Sequence, residues 1–201
     1  MKGEQRTILA ILSEIEQQGY QCALVGGLAV SVRARPRFTK DVDFAVAVET
    51  DAEAEGLIRA LYARGYEVRQ VLEHKPSGRL ATVRLSTTRS RATDPDVDLL
   101  FASSGIEKEV VKASERVAFA EGLHVPVATR GHLIALKVLA YEERRGQDKD
   151  DILALFEKAD PGDLGEAKKA LLLIAERGFE RGKNLDEELD RFLSLSRQQG
   201  S

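Results

Sequence analysis

The chain has 201 residues, 43% of them hydrophobic and 31% charged, with acids and bases nearly cancelling to a formal net charge of −3. That is enough apolar material for a substantial core in one domain, with or without a helical appendage. The charge balance excludes a generic polyanion binder, because nonspecific affinity through counterion release needs an excess of Lys and Arg.

Ile8, Ile11, Leu12 and Ile15 recur at helical spacing and Gly19 stands where such a helix would end. Ile8 to Leu12 is too short and too interrupted for a signal h-region or a membrane span, so a soluble cytoplasmic protein with no membrane partner is expected. A short buried strand follows at about 21–25, and its Cys22, the one cysteine of the chain, reads as a core thiol in a reducing compartment. Gly26-Gly27 breaks that strand, and Leu28 to Arg35 resumes as a helix that Pro36 ends.

Asp41 to Val48 alternates with period two: Val42, Phe44, Val46 and Val48 share one face, and Asp41, Asp43, Ala45 and Ala47 share the other. Asp51 to Gly65 reads as a helix, and Leu80–Leu85 and Val97–Phe101 as two further strands. From Thr129 onward strand signals stop. Leu133–Ala140, Asp150–Lys158, Asp163–Arg177 and Asp186–Leu195 carry helical periodicity, with Pro161-Gly162 and Gly182 as breaks. The predicted class is α+β (α/β). Residues 1–127 form a domain with a small mixed sheet flanked by helices, and residues 128–201 form a helical subdomain.

Two glycines at the end of one apolar run, Asp41-Val42-Asp43 thirteen residues later and Asp98 between Val97 and Leu99 form the parts list for a nucleoside triphosphate held on two divalent ions. Transfer of a nucleotidyl group requires neutralising a charged α-phosphate and aligning nucleophile with leaving pyrophosphate, which two Mg²⁺ ions about 3.5–4 Å apart accomplish. Mn²⁺ is an alternative ion. Side chains at i and i+2 of a strand point the same way about 6.5–7 Å apart, so Asp41 and Asp43 suit the pair of metals and Asp98 completes the site as catalytic base. Such acids also occur on solvated strand faces, and Asp96, on the same side as Asp98, competes for the third role; Asp94 reads as a loop acid. Gly26 and Gly27 suit close approach of phosphate to backbone N–H groups at a helix start, whereas a turn alone would need one glycine.

Arg33, Arg35, Arg37 and Lys40 precede the acid pair. Most read as solvated; Arg37 and Thr39 stand at the strand start, where a guanidinium can grip phosphate and a hydroxyl can support a carboxylate. Lys137 is the lone charge in Leu133–Ala140 and either snorkels to water or points into the cleft against triphosphate. Asp148 and Asp151, at i and i+3, share one helix face, with capping as the alternative to a nucleotide-binding role for Asp148. His74 falls in a polar loop, His124 in a short apolar segment and His132 near a helix start; zinc spacing and nucleophile elbows are absent from the sequence.

Through Val25-Gly26-Gly27, Asp41-Val42-Asp43-Phe44 and Val97-Asp98-Leu99 the chain resembles the polymerase-β-type nucleotidyltransferase superfamily. Leu24 to Val30, Arg37 to Asp43, Leu133 to Lys137 and Asp148 to Ile152 narrow the resemblance to the AbiEii/AbiGii group of abortive-infection toxins, over about residues 20–157. One departure is Gln147-Asp148 where that group leads one to expect Lys-Asp, with Lys149-Asp150 two residues later. The resemblance implies transfer from a nucleoside triphosphate to an RNA, such as a tRNA acceptor end, and a cognate antitoxin partner.

The expectation is therefore a metal-dependent nucleotidyltransferase. Gly26, Gly27, Arg37, Thr39, Lys137 and Asp148 bind nucleotide, Asp41, Asp43 and Asp98 bind metal, and these acids with Lys137 are catalytic. An arginine rim of Arg33, Arg35, Arg84, Arg89 and Arg91 would favour RNA, and an acid-lined cleft a small-molecule acceptor, as in antibiotic nucleotidyltransferases of the aminoglycoside or lincosamide type. A catalytically silent nucleotide- or partner-binding protein is the rival from another class.

Overall fold

The computed structural model describes residues 3–39, 41–87, 95–144 and 146–199. In chain order the elements are α1 (Gly3–Gln17), β1 (Cys22–Val25), α2 (Gly26–Arg33), β2 (Val42–Val46), α3 (Asp51–Ala63), β3 (Tyr66–His74), β4 (Arg79–Thr87) and β5 (Val97–Leu100), then α4 (Glu107–Ala113), β6 (Glu115–Ala120), β7 (Leu123–Val127), α5 (Arg130–Ala140), α6 (Gly146–Phe156), α7 (Pro161–Glu176) and α8 (Leu185–Gln199).

The strands form one mixed sheet in the order β3-β4-β5-β2-β1-β7-β6. β2 lies at its centre, antiparallel to β1 and parallel to β5. Its alternation is what the sequence dictates: Val42, Phe44 and Val46 are fully buried, while Asp43 on the opposite face is half-buried. The apolar stripe of α1 buries Ile8, Ile11, Leu12 and Ile15 in the same core. That core continues without a break into Leu133, Ile134, Val138, Ile152 and Ile174 of the C-terminal helices.

Local signals fix several helix starts. Thr50 and Glu53 make a reciprocal capping box on α3, and Asp160 and Asp163 make another on α7. The Pro161-Gly162 pair is therefore the first turn of α7 instead of a break, since proline at the first helical position has no N–H to lose.

β3, β6 and β7 lack a sequence signal strong enough to foresee. β3 is an edge strand exposed from Val68 to Glu73, so its residues need not alternate. His74 ends that strand and stacks on Phe179 with ring centroids 4.0 Å apart, which corrects its reading as a loop residue. Among the described residues no helix is long and apolar enough to cross a membrane.

Candidate active site

The central strands bring the three predicted acids onto adjacent positions. Asp43 pairs in register with Val25 on one side and with Asp98 on the other. Asp41 lies just before β2, and Asp96 just before β5 accepts at its backbone carbonyl from Val42 N–H at 3.0 Å. Asp98, not Asp96, is thus the acid opposite Asp43.

β1 runs straight into α2 through the two glycines. Gly26 sits at φ 62°, and a methyl group there would overlap the Asp43 carboxylate. The positive φ and the close carboxylate each demand glycine. A methyl on Gly27 would overlap the Arg37 guanidinium and crowd Thr39 Oγ1. The N-cap of α2 is Val25, which puts no side chain on the first N–H groups of the helix. An uncapped, positive helix end therefore lies beside the acids.

Three carboxylates in this space repel one another. Burial, then Asp98, then Asp41 push the Asp43 carboxyl up to about 6, against the opposing pull of Lys137 and Arg84. Asp98 is answered by Arg84, its register partner on β4: Arg84 Nε donates to Oδ1 at 2.8 Å and Nη2 to Oδ2 at 2.7 Å. The same Nη2 lies 3.8 Å from Asp41 Oδ2. Among the described residues no three carboxylate, imidazole or thiol groups are drawn together as an assembled ion cage. The donor set of Asp41, Asp43 and Asp98 still suits a hard divalent cation, since it offers carboxylate oxygens and a surplus of negative charge that has raised Asp43.

A second cluster joins the helices to the sheet. Lys137 of α5 reaches Asp148 Oδ1 at 3.0 Å and Asp151 Oδ2 at 2.8 Å, both on α6. Arg37 Nη2 donates to Asp151 Oδ2 at 3.0 Å, its Nε lies 2.8 Å from Oδ1, and Gln147 Nε2 donates to Oδ1 at 3.2 Å. Asp148 and Asp151 are buried and face Lys137, while Asp150 is exposed. Asp151 is the residue that sequence reasoning left without a role; its spacing of three from Asp148 was the available signal.

A cleft is lined by Gly26, Asp43 and Lys137 together with Leu100, Leu133 and Leu136, and also by Ser103, Ser104 and Arg181. Lys137 therefore points into the cleft and does not snorkel to bulk water. Arg37 is not a solvated cation: the buried Asp151 carboxylate and the Phe38 carbonyl take its donors.

Two of the arginines named for a rim are engaged within the chain. Arg33 is spent on the carbonyls of Val127 and Ala128 and on Glu115, and Arg84 on Asp98, which leaves Arg35 exposed. Lys40, Arg89, Arg91 and Asp94 lie outside the described residues. The partner of Arg84 is revealed only by the strand register, which sets it opposite Asp98.

A family model described as nucleotidyl transferase AbiEii toxin, type IV toxin–antitoxin system, matches residues 8–199. The chain belongs to the AbiEii nucleotidyltransferase toxin family. As an AbiEii-family member it is a nucleotidyltransferase. The fold agrees: an antigenic nucleotidyltransferase-like protein from Paracoccidioides brasiliensis superposes with a TM-score of 0.55 at 16% identity, covering 92% of this chain and 91% of that one. More distant are the lincosamide antibiotic adenylyltransferase LnuA bound to lincomycin (TM-score 0.48, 13% identity, 77% and 97% covered) and the MenT4 nucleotidyltransferase toxin of Mycobacterium tuberculosis (0.34, 14%, 88% and 85%). Comparison with curated proteins gives no match.

Proposed function

We propose that this AbiEii-family protein moves a nucleoside monophosphate from a nucleoside triphosphate to a hydroxyl of an RNA acceptor, in the cytoplasm, under restraint by a cognate antitoxin. The observation that carries the proposal is the placement of Asp43 between Gly26 and Asp98, in the lining of a cleft that also holds Lys137.

In this reading Gly26 and Gly27 present backbone N–H groups at the start of α2 to the phosphates. Lys137 has three N–H donors, two of them committed to Asp148 and Asp151, so one remains for a triphosphate oxygen. Asp148 and Asp151 hold that ammonium in place, and Arg37 with Thr39 braces the loop against Gly27. Asp41, Asp43 and Asp98 would hold Mg²⁺ or Mn²⁺, which supplies charge neutralisation at the α-phosphate and acidifies the attacking hydroxyl. Asp98 takes the proton of that hydroxyl. The apolar lining by Leu100, Leu133 and Leu136 offers a face for the nucleobase. Residues 1–127 act as the transfer domain and the helices of 128–201 as the opposing wall.

Support for a nucleic-acid acceptor comes from Phe38, which is 78% exposed three residues before Asp41. Its loop is pinned: Ser31 Oγ donates to Gly27 O at 3.1 Å and accepts from Arg37 N at 3.3 Å, while Arg37 Nη1 donates to Phe38 O. An aromatic ring displayed on a fixed loop is a stacking platform for a base. A small-molecule acceptor remains the second reading, favoured by the surplus of acids around Asp43.

The test is incubation of the purified protein with each α-labelled triphosphate, Mg²⁺ and total RNA. Label appearing in RNA supports the reading; label appearing only in a small molecule, or nowhere, removes the RNA acceptor.

A further inference from the structure

Arg84 occupies a position from which it can stand in for a cation. Its guanidinium meets Asp98 fork to fork, at 2.8 and 2.7 Å, and leans to within 3.8 Å of Asp41. The pairing is built into the sheet, because β4 and β5 are antiparallel with Arg84 directly opposite Asp98. A bidentate guanidinium engages both oxygens of the carboxylate, whereas a divalent ion needs at least one of them. The two cannot use Asp98 in the same way at once. The Asp98 side chain is 13% exposed and that of Arg84 36% exposed, so the partner with room to leave is the arginine.

We propose that Arg84 is a positioning residue that holds Asp98 as an internal counter-ion and competes with the divalent cation for it, so that cation binding requires the guanidinium to swing away. The inference rests on the nucleotidyl-transfer reading of the site. In the cation-free protein the Arg84 charge offsets Asp98 and Asp41, which would otherwise repel Asp43 more strongly across the β2–β5 register. Arg84 therefore lowers cation affinity while keeping the empty site folded.

The experiment is titration calorimetry of the full chain with Mn²⁺ and with Mg²⁺, without nucleotide, on wild type, Arg84→Gln, Arg84→Lys and the double variant Arg84→Gln/Asp98→Asn. Arg84→Gln is expected to bind Mn²⁺ about tenfold more tightly than wild type, as loss of a charge-assisted pair implies. Arg84→Lys, which cannot form the fork, should fall between the two, and the double variant should lose the gain. Thermal melting should show Arg84→Gln less stable than wild type without cation and restored by millimolar Mn²⁺. If Arg84→Gln does not fold, Arg84→Lys decides by the same readouts. Equal or weaker Mn²⁺ binding by the variant overturns the inference. The two failures are separable. Wild type that transfers nucleotide beside an Arg84→Gln that gains no affinity sinks this inference alone; a variant that gains Asp98-dependent affinity beside a wild type that never transfers sinks the functional reading alone.

Discussion

Asp43 on β2 and Asp98 on β5 are register partners on adjacent parallel strands, so two carboxylates from segments more than fifty residues apart share one face of the sheet. Asp98 has Arg84 as its partner, and Asp43 is pushed up to about 6, first by burial and then by its acidic neighbours. Its folded-state value exceeds the unfolded value of about 3.9, so the native state binds that proton more tightly. The stabilisation is complete below about pH 4 and is lost as pH rises through about 6. Asp43→Asn should therefore raise the melting temperature of the cation-free protein at pH 7.5 by up to about 3 kcal/mol in equivalent stability, at roughly 2–4 °C per kcal/mol. The gain should vanish at pH 4, and transfer should fall at least about a hundredfold. Melting curves at the two pH values check it.

Removing Asp151 exposes the opposite balance. Its buried carboxylate holds Lys137, Arg37 and Gln147 together, and Asp151→Ala leaves two inward cations short of a partner. The expected loss is about 3–5 kcal/mol by urea unfolding. Asp150→Ala, at an exposed neighbour, should cost within about 0.5 kcal/mol.

A glycine comparison separates backbone strain from site collision. Gly78 has φ 65° with nothing within 4 Å of an added methyl, whereas Gly26 at φ 62° has the Asp43 carboxylate in the way. Gly78→Ala should cost about 1–2 kcal/mol from conformation alone and leave transfer intact. Gly26→Ala should be less stable still and lose transfer, as unfolding curves and an activity assay on the same preparations would show.

The fold was legible where burial imposes a period. The face split of Asp41 to Val48 and the stripe Ile8-Ile11-Leu12-Ile15 translate directly into β2 and α1, because a one-sided core tolerates nothing else. β3 was not legible, because an edge strand exposed along most of its length has no face to bury. In the site, Gly26, Asp43 and Asp98 could be read from residue type and spacing. The Arg84–Asp98 fork could not, since it depends on strand register, and neither could the turn of Arg37 toward Asp151, which depends on how α6 packs against the loop before β2.

Phe38 offers a test of the acceptor. Phe38→Ala should raise the KM for an RNA acceptor severalfold, in keeping with about 1–3 kcal/mol per stacked base, and leave the KM for triphosphate unchanged. The chain contains no tryptophan, so Phe38→Trp provides a single reporter whose fluorescence should be quenched by RNA and not by triphosphate alone.

The central claim is that Asp41, Asp43 and Asp98 act as one cation-dependent centre for nucleotidyl transfer. The most direct measurement is single-turnover transfer from α-labelled triphosphate by wild type and Asp41→Ala, with Mg²⁺ and with the cation chelated, on protein whose circular dichroism and melting curve confirm the fold. Label should move only with wild type and Mg²⁺ together. Undiminished transfer by folded Asp41→Ala, or by wild type stripped of divalent ions, would contradict it.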